Sequence, residues 1–148
     1  MESKKILNKL IDVFQLVEEM NKKLFAKEYD GLNMSDVHTI DYIGKNSDVN
    51  ITAISKHMKI TKSGALKITK KLLERGEIEQ FQLPHNKKEK YFSLTPQGIK
   101  TFEKHERLHV EGEKRDSKLF ENFSQKEQES IFKFLQALEE DMREKIKN

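Results

Sequence analysis

Two groups of residues in this 148-residue chain have the types and the spacing that chemistry would need. His105-Glu106-x-x-His109 matches a zinc-hydrolase motif, in which two imidazoles one helical turn apart bind the metal and the carboxylate acts as a base. Between Val49 and Leu73 there are six lysines and no acidic residue, a pattern typical of surfaces that face phosphates. The first group indicates a metal site, and the second indicates nucleic-acid binding.

The basic charge is confined to the middle of the chain. Residues 50–90 carry ten basic and four acidic side chains, whereas residues 1–49 carry seven and nine, and residues 99–148 carry 11 and 12. The absence of Cys excludes a disulfide framework, thiolate metal ligands and a Cys nucleophile. No apolar run approaches the roughly 20 residues of a membrane span, and the first residues do not resemble a signal peptide. We therefore expect a cytoplasmic protein with no membrane partner.

Hydrophobic spacing predicts a mainly α (α+β) fold. Apolar residues that recur every three or four positions predict helices at about residues 4–29, 35–44, 51–58, 62–75, 96–120 and 125–146. We expect helices to begin at N-caps Ser35, Thr61 and Ser124, and to end at Gly31 and Gly76. The third and fourth helices, joined by a short turn, form a helix-turn-helix pattern.

Two β-favouring runs follow this pattern, at residues 78–83 and 90–94. Residues 84–89 join them as a polar and basic tip. A helix-turn-helix followed by a β-hairpin predicts a winged helix-turn-helix DNA-binding lobe over residues 35–98, with its wing at 78–94.

The terminal helices carry apolar stripes at near-heptad spacing, and the chain offers little other core for them to cover. We expect residues 1–148 to form a single domain in which residues 1–30 and 120–148 are dimerisation helices that pair between two subunits of a homodimer. A helical bundle within one chain is the alternative.

The first residues of a recognition helix meet base edges in the major groove. The expected DNA-binding residues lie in the fourth helix and the wing and are Lys62, Ser63, Gly64, Leu66, Lys67, Lys70, Lys71, Lys87, Lys88 and Lys90. Lysine donates to guanine, Leu66 suits a thymine methyl, and Gly64 permits close approach of the backbone. Lys70 and Lys71 are expected at phosphates, and the wing lysines along the minor groove.

Several ordered segments resemble the MarR family of multiple-antibiotic-resistance regulators, namely residues 52–58, 60–67, 72–78, 84–88 and 93–98. The last two resemble that family's Asp-x-Arg wing and its Leu-Thr-x-x-Gly return, with Asn86 at the usual Asp position and Lys88 at the usual Arg position. The resemblance implies a homodimeric repressor that binds a pseudo-palindromic operator in double-stranded DNA and responds to an effector.

The chain also resembles the zinc-responsive, AdcR-like branch of that family. The resemblance implies Zn²⁺ ligands at His38, His105 and His109, completed by Glu19 or Glu18. No cofactor is then required for DNA binding. The effector stays open between regulatory Zn²⁺ and a small organic molecule such as a phenolic compound.

Two functions of other classes also stay open. One is a zinc-dependent hydrolase that uses His105, Glu106 and His109, and the other is a helical protein-interaction module whose basic face binds an acidic partner. The residues that flank the histidine motif are too polar for the buried metal helix of such hydrolases, so we expect no enzymatic activity.

Overall fold

The computed structural model describes residues 2–148, which form six α-helices and one β-hairpin. In chain order the elements are α1 (Ser3–Glu28), α2 (Met34–Lys45), α3 (Ile51–Met58), α4 (Lys62–Glu74), β1 (Ile78–Leu83), β2 (Asn86–Leu94), α5 (Pro96–Ser117) and α6 (Gln125–Lys147), with a 3₁₀ helix at Lys118–Asn122 before α6. The predicted winged helix-turn-helix fold is confirmed. Across residues 2–148, no helix has both the length and the apolar content that a membrane crossing requires.

The chain divides into two compact units, and the boundary falls inside α5. The first unit ends at His105, and the second runs from Glu106 to Asn148. The first contains the helix-turn-helix and the wing, while the second contains α6. The assignment of residues 1–30 and 120–148 to dimerisation stays a prediction.

Local capping defines the helix-turn-helix. Thr61 begins α4, where its hydroxyl oxygen accepts a hydrogen bond from the Gly64 amide at 3.0 Å. Lys59 adopts the left-handed conformation in the turn between α3 and α4, with φ at 56°. Gly76, with φ at 71°, follows the end of α4. The predicted N-cap at Thr61 and the predicted stop at Gly76 are confirmed.

The start of α2 and the end of α1 differ from the prediction. Asn33, not Ser35, caps α2, because Asn33 and Asp36 exchange hydrogen bonds of 2.9 Å between each side chain and the other's backbone amide. This arrangement is a capping box in which Asp takes the place of the more usual Glu. Helix α1 ends at Glu28, before Gly31, which supplies the left-handed turn (φ 81°) in the connection to α2.

The wing is also built differently from the prediction. Its second strand begins at Asn86 rather than at Lys90, so the expected tip at residues 84–89 contracts to a two-residue turn. The register shifts between Phe81 and Leu83, which leaves a bulge in β2. The Asn86 side chain accepts hydrogen bonds from the amides of Lys88 and Glu89, and these bonds hold the bulge.

The core of the first unit lies among α2, α3, α4 and the hairpin. Its buried apolar side chains include Val37, Ile40, Val49, Ile54, Ala65, Leu72, Ile78 and Phe92. A β-bridge between Val49 and Phe92 attaches the wing to the segment that precedes α3. The recognition helix and the wing therefore share one core.

The first turn of α5 packs closely against the backbone of the turn that follows α4. Thr95 caps α5 by accepting from the Gly98 amide at 3.0 Å, which confirms the predicted helix start at Thr95-Pro96. A Cβ on Gly98 would lie 1.9 Å from the Glu77 carbonyl oxygen. Glu77 is itself buried, and its carboxylate accepts from the Thr101 hydroxyl at 2.8 Å. Only glycine fits at position 98.

The second unit is amphipathic along α6. Ser124 and Glu127 form the predicted capping box, which is confirmed. No residue of α6 is buried, and its exposed large apolar side chains are Phe132, Phe134, Leu135, Met142 and Ile146. Helix α1 of the first unit likewise exposes Ile6, Leu7, Ile11, Val13, Phe14, Leu16, Val17 and Met20.

We predict that Gly98→Ala destabilises the fold by about 1–3 kcal/mol or more, because the new methyl group overlaps the Glu77 carbonyl. The measurement is the midpoint of urea unfolding. Gly112→Ala in the same helix is the matched control, since its added Cβ would meet only the end of the Arg115 side chain, at 3.6 Å. The control should stabilise the helix by about 0.5–1 kcal/mol. Equal midpoints for the two variants would contradict the close approach.

We also predict that Ser124→Ala raises the pKa of Glu127 toward its usual value. The Ser124 hydroxyl and amide donate to the Glu127 carboxylate at 2.7 and 2.8 Å, and both bonds lower its pKa. Because the pKa of Glu127 is lower in the folded than in the unfolded state, the two bonds stabilise the folded state. Their contribution is complete above the unfolded pKa and is lost as the pH falls through the folded pKa. NMR titration of the Glu127 carboxyl carbon measures the change. Ser130→Ala, whose hydroxyl bonds to Lys126, should leave that titration unaltered.

Candidate nucleic-acid interface and histidine cluster

The N-terminal half of α4 presents a basic face to solvent. Ala65, Thr69 and Leu72 turn into the core, and the exposed residues are Lys62, Ser63, Leu66, Lys67 and Lys70. Leu66 is 54% exposed, so its side chain is accessible to a binding partner. The predicted base-reading residues therefore share one accessible face, with an apolar side chain among cationic ones.

Gly64 lies within the first turn of α4, and the local packing explains why a glycine occupies this position. A Cβ there would lie 3.3 Å from the Thr61 hydroxyl oxygen and 3.7 Å from Ile60. Its backbone amide is the donor to the Thr61 cap. The missing side chain thus leaves room for the turn and the cap, and a close approach to DNA at Gly64 stays a prediction.

Lys71 and Arg75 lie one turn apart on a flank of α4 and bind groups of the first unit. The Lys71 ammonium nitrogen is 2.5 Å from Oδ2 of Asp36, whose side chain is 1% exposed. The Arg75 guanidinium donates to the Asp30 carbonyl oxygen. A phosphate contact by Lys71 stays a prediction, although its ammonium group already has an anionic partner.

The wing carries Lys87, Lys88 and Lys90 on exposed positions of β2. The Gln82 amide donates to the Lys87 carbonyl at 2.6 Å, so the bulge is tied to the opposite strand. Asn86 holds the bulge through its side-chain oxygen alone, a function for which an amide serves as well as a carboxylate. The three lysines are thus held at the surface by a hydrogen-bonded bulge of β2.

A histidine cluster, comprising His38, Asp41 and His105, lies within the first unit. The rings of His38 and His105 are edge to face, with centroids 5.7 Å apart. Asp41 Oδ1 lies 3.4 Å from His105 Nδ1, and His105 is buried whereas His38 is exposed. The structure therefore places the rings of two of the three predicted metal-binding histidines side by side, but the donor atoms that lie within 4.8 Å of one another are those of Asp41, His105 and Glu106. Nitrogen and oxygen donors of this kind are ones that Zn²⁺ accepts.

Asp41 is the cluster residue that sequence reasoning missed. It follows His38 by three positions in α2, a spacing that places both side chains on one face of a helix. The sequence alone could have predicted that spacing. It could not predict the approach of α5, which brings His105 next to Asp41 although the two residues are 64 positions apart in the chain.

The other predicted ligands lie elsewhere. His109 belongs to the second unit, where it is exposed. Glu18 and Glu19 are exposed on α1 and form ion pairs with Lys22 and Lys23, at 3.7 and 3.1 Å. Their roles as zinc ligands stay predictions.

A cleft of about 710 Å³ lies between α1, the connection after it and α4. Its walls are apolar at Phe25, Ala26, Leu32 and Met34, and Lys71 forms part of its lining. The cleft therefore adjoins the ion pair between α2 and α4, and it could accept an apolar molecule of drug-like size.

The family model described as MarR family matches residues 32–90, which contain the helix-turn-helix and most of the wing. The HTH-type transcriptional regulator PchR of Bacillus subtilis (strain 168) is 40% identical over 106 residues, which are 72% of this chain and 63% of the relative. The chain spans less than two thirds of the length of the curated relatives it matches first.

Solved structures show the same fold along nearly the whole chain. Streptococcus pneumoniae FabT in complex with DNA has a TM-score of 0.76 at 23% identity, with 97% of this chain and 99% of that chain covered. Lactococcus lactis ZitR, a zinc-responsive MarR family member, has a TM-score of 0.74 at 19% identity, with 93% and 99% covered. From its helix-turn-helix, its wing and these likenesses in sequence and fold, the chain belongs to the MarR family.

Proposed function

We propose that this chain is a transcription regulator that binds double-stranded DNA as a homodimer, acts as a repressor and responds to an effector. The observation that carries the DNA-binding part is the exposed face of α4, which combines lysines with Ser63 and Leu66 and has no acidic residue before Glu74. Such a face suits the major groove, because it can donate to base edges and contact a thymine methyl. The wing lysines extend the cationic surface toward an adjacent groove.

The family supports this proposal. FabT is a neighbour in fold and was solved in complex with DNA, and PchR is named as a transcriptional regulator. Neither the fold nor the named relatives favour a hydrolase built on His105, Glu106 and His109. Within that motif His105 is buried against Asp41, a poor position for the open metal coordination site that hydrolysis needs.

Homodimerisation is supported by the apolar faces of α1 and α6. Each helix exposes several large apolar side chains in the single chain, among them Phe14 in α1 and Phe132 in α6. Exposed apolar patches on a soluble protein mark interaction sites. A two-fold dimer would cover both faces and would present two recognition helices to the half-sites of a pseudo-palindromic operator.

Zn²⁺ is the effector that the histidine cluster favours. Asp41, His105 and Glu106 have donor atoms within 4.8 Å of one another, the His38 ring lies beside His105, and His109 follows His105 by one turn in α5. Zinc bound there would hold α2 and α5 in one arrangement, and α2 carries Asp36, the partner of the α4 residue Lys71. An effector acts only by binding two arrangements unequally, and a metal that bridges two helices does so. An organic ligand in the 710 Å³ cleft is the alternative effector.

We predict that Lys62→Ala with Lys67→Ala abolishes duplex binding and leaves the fold intact, because both side chains are exposed and neither supports the core. Fluorescence anisotropy with operator fragments, taken from the DNA flanking the gene, measures the loss. For wild type, if a dimer neutralises about 6–10 phosphates, affinity should fall by about 10³–10⁵ between 50 and 200 mM salt.

Two exposed lysines of α6, Lys126 and Lys133, provide the matched control for this pair. Their replacement by Ala removes the same charge from a helix outside the proposed interface, so affinity should stay near that of wild type. Equal losses in the two double variants would mean that net charge, not the face of α4, drives binding. An affinity of wild type that does not change with salt would contradict DNA binding through this face.

We predict that His105→Ala with His109→Ala lowers zinc affinity by more than about 100-fold, since loss of a ligand should exceed the 10–100-fold lost with an outer-shell partner. Isothermal titration with ZnCl₂ makes the measurement. His57→Ala is the control, because that ring stacks on Tyr42, with centroids 4.1 Å apart, and should not affect zinc binding. Unchanged affinity in the double variant would remove the site and leave the cleft as the place for an effector.

A further inference from the structure

We propose that Lys71 and Arg75, the anchor pair, are positioning residues that hold the recognition helix α4 in place for DNA and do not contact phosphates themselves. Both belong to the basic middle of the chain, residues 50–90, yet Lys71 binds Asp36 in the first turn of α2 and Arg75 binds the connection between α1 and α2. The proposal rests on the proposed DNA binding, and it divides the cations of α4 into two groups with different tasks.

Lys71 neutralises a carboxylate that has almost no access to water. The Asp36 side chain is 1% exposed, and its Oδ2 atom accepts from the Asn33 amide at 2.9 Å as well as from Lys71. A buried charge is tolerated only when it is paired and hydrogen-bonded. The Lys71 ammonium therefore cannot move to a phosphate without leaving Asp36 short of its cation.

Arg75 fixes the neighbouring stretch of backbone. Its guanidinium donates to the Asp30 carbonyl and packs beside Gly31, where a Cβ would lie 3.0 Å from Nη1. Arg75 is also the C-cap residue of α4, so the bond ties the end of the recognition helix to residues 29–33, which connect α1 to α2. A positive charge at a helix C-terminus is favourable in its own right.

Residues 71 and 75 are four apart, so both lie on one flank of α4. The Lys71 side chain is 38% exposed and Arg75 is exposed, but each cation is bound to a group of the protein, whereas Lys62, Lys67 and Lys70 are exposed on the rest of the helix. Asp36 receives one anchor at the first turn of α2, and Asp30 receives the other just before it. The pair therefore sets both the position and the rotation of α4 against α2, and with them the direction in which the DNA-facing lysines point.

The test uses the whole 148-residue chain and substitutions to Met, which keep an unbranched side-chain stem and remove the charge. Arg75→Met removes one anchor, and Arg75→Lys keeps a cationic donor. For the other anchor, Lys71→Met is combined with Asp36→Asn, because Lys71→Met alone would leave a buried carboxylate unpaired. Lys70→Met is the matched control, since Lys70 is adjacent in α4 and exposed.

The first readout is duplex affinity as a function of salt. Each phosphate contact contributes about 0.9 to the slope of log affinity against log salt, and twice that when both subunits lose it. Arg75→Met and the paired variant should bind about tenfold more weakly at every salt concentration with the slope of wild type. Lys70→Met should flatten the slope, and Arg75→Lys should bind nearly as wild type does.

The second readout is amide hydrogen exchange without DNA. Arg75→Met should speed exchange of the Leu32 and Asn33 amides by about tenfold, because the connection loses a charge-assisted bond, and Lys70→Met should not. A slope that flattens in Arg75→Met as much as in Lys70→Met, or exchange that does not change, would overturn the proposal. Absence of salt-dependent DNA binding by wild type would instead contradict the proposed function, and the exchange data would still decide whether the anchors exist.

Discussion

The buried carboxylate of Asp36 is the constraint on which the rest of the first unit depends. A charge at 1% exposure would cost several kcal/mol if it were unpaired, and here it accepts bonds from the Asn33 amide and the Lys71 ammonium. The first bond begins α2, and the second joins α2 to the recognition helix. One side chain thus determines where a helix starts and where its neighbour lies, so neither can shift alone without exposing an unpaired charge.

The close approach of Gly98 to Glu77 plays the corresponding role at the other end of α4. The carbonyls of Gly76 and Glu77 accept from the Thr95 hydroxyl, and the Glu77 carboxylate accepts from Thr101. The turn after the recognition helix is therefore bound to the first turns of α5 by backbone and side chain together. Because the wing lies between these two segments in the chain, its base is fixed at both strands, and only its bulged tip carries free cations.

The parts of this structure that are specified locally could be predicted from the sequence. The caps at Thr61, Thr95 and Ser124 depend on residues within three positions, and all three begin helices where expected. The cap at Asn33 was missed because Asp36 replaces the usual Glu of a capping box. The start of β2 was missed because the register of a hairpin with a bulge is set by pairing across strands rather than by the order of residue types.

For the candidate functional residues too, exposure could be predicted from local sequence, whereas long-range contacts could not. The exposed lysines of α4 were predictable, since helical periodicity separates them from Ala65 and Leu72. The partner of Lys71 lies 35 residues away and that of His105 lies 64 residues away, and no short pattern encodes either pair. A count of basic residues therefore overstates the cations available to DNA, because Lys71 and Arg75 lie at the surface but bind Asp36 and the Asp30 carbonyl.

Helix α2 connects the two places where an effector could act. One face of its middle carries His38 and Asp41 of the histidine cluster, and its first residue, Met34, lines the cleft beside Lys71. A metal at the cluster would act on α2 from α5, and an apolar ligand in the cleft would act on it from α1. Either would reach α4 through the Asp36–Lys71 ion pair. The identity of the effector can then differ among proteins of this design while the link to the recognition helix stays the same, because that link is imposed by the cost of a buried charge and not by the ligand.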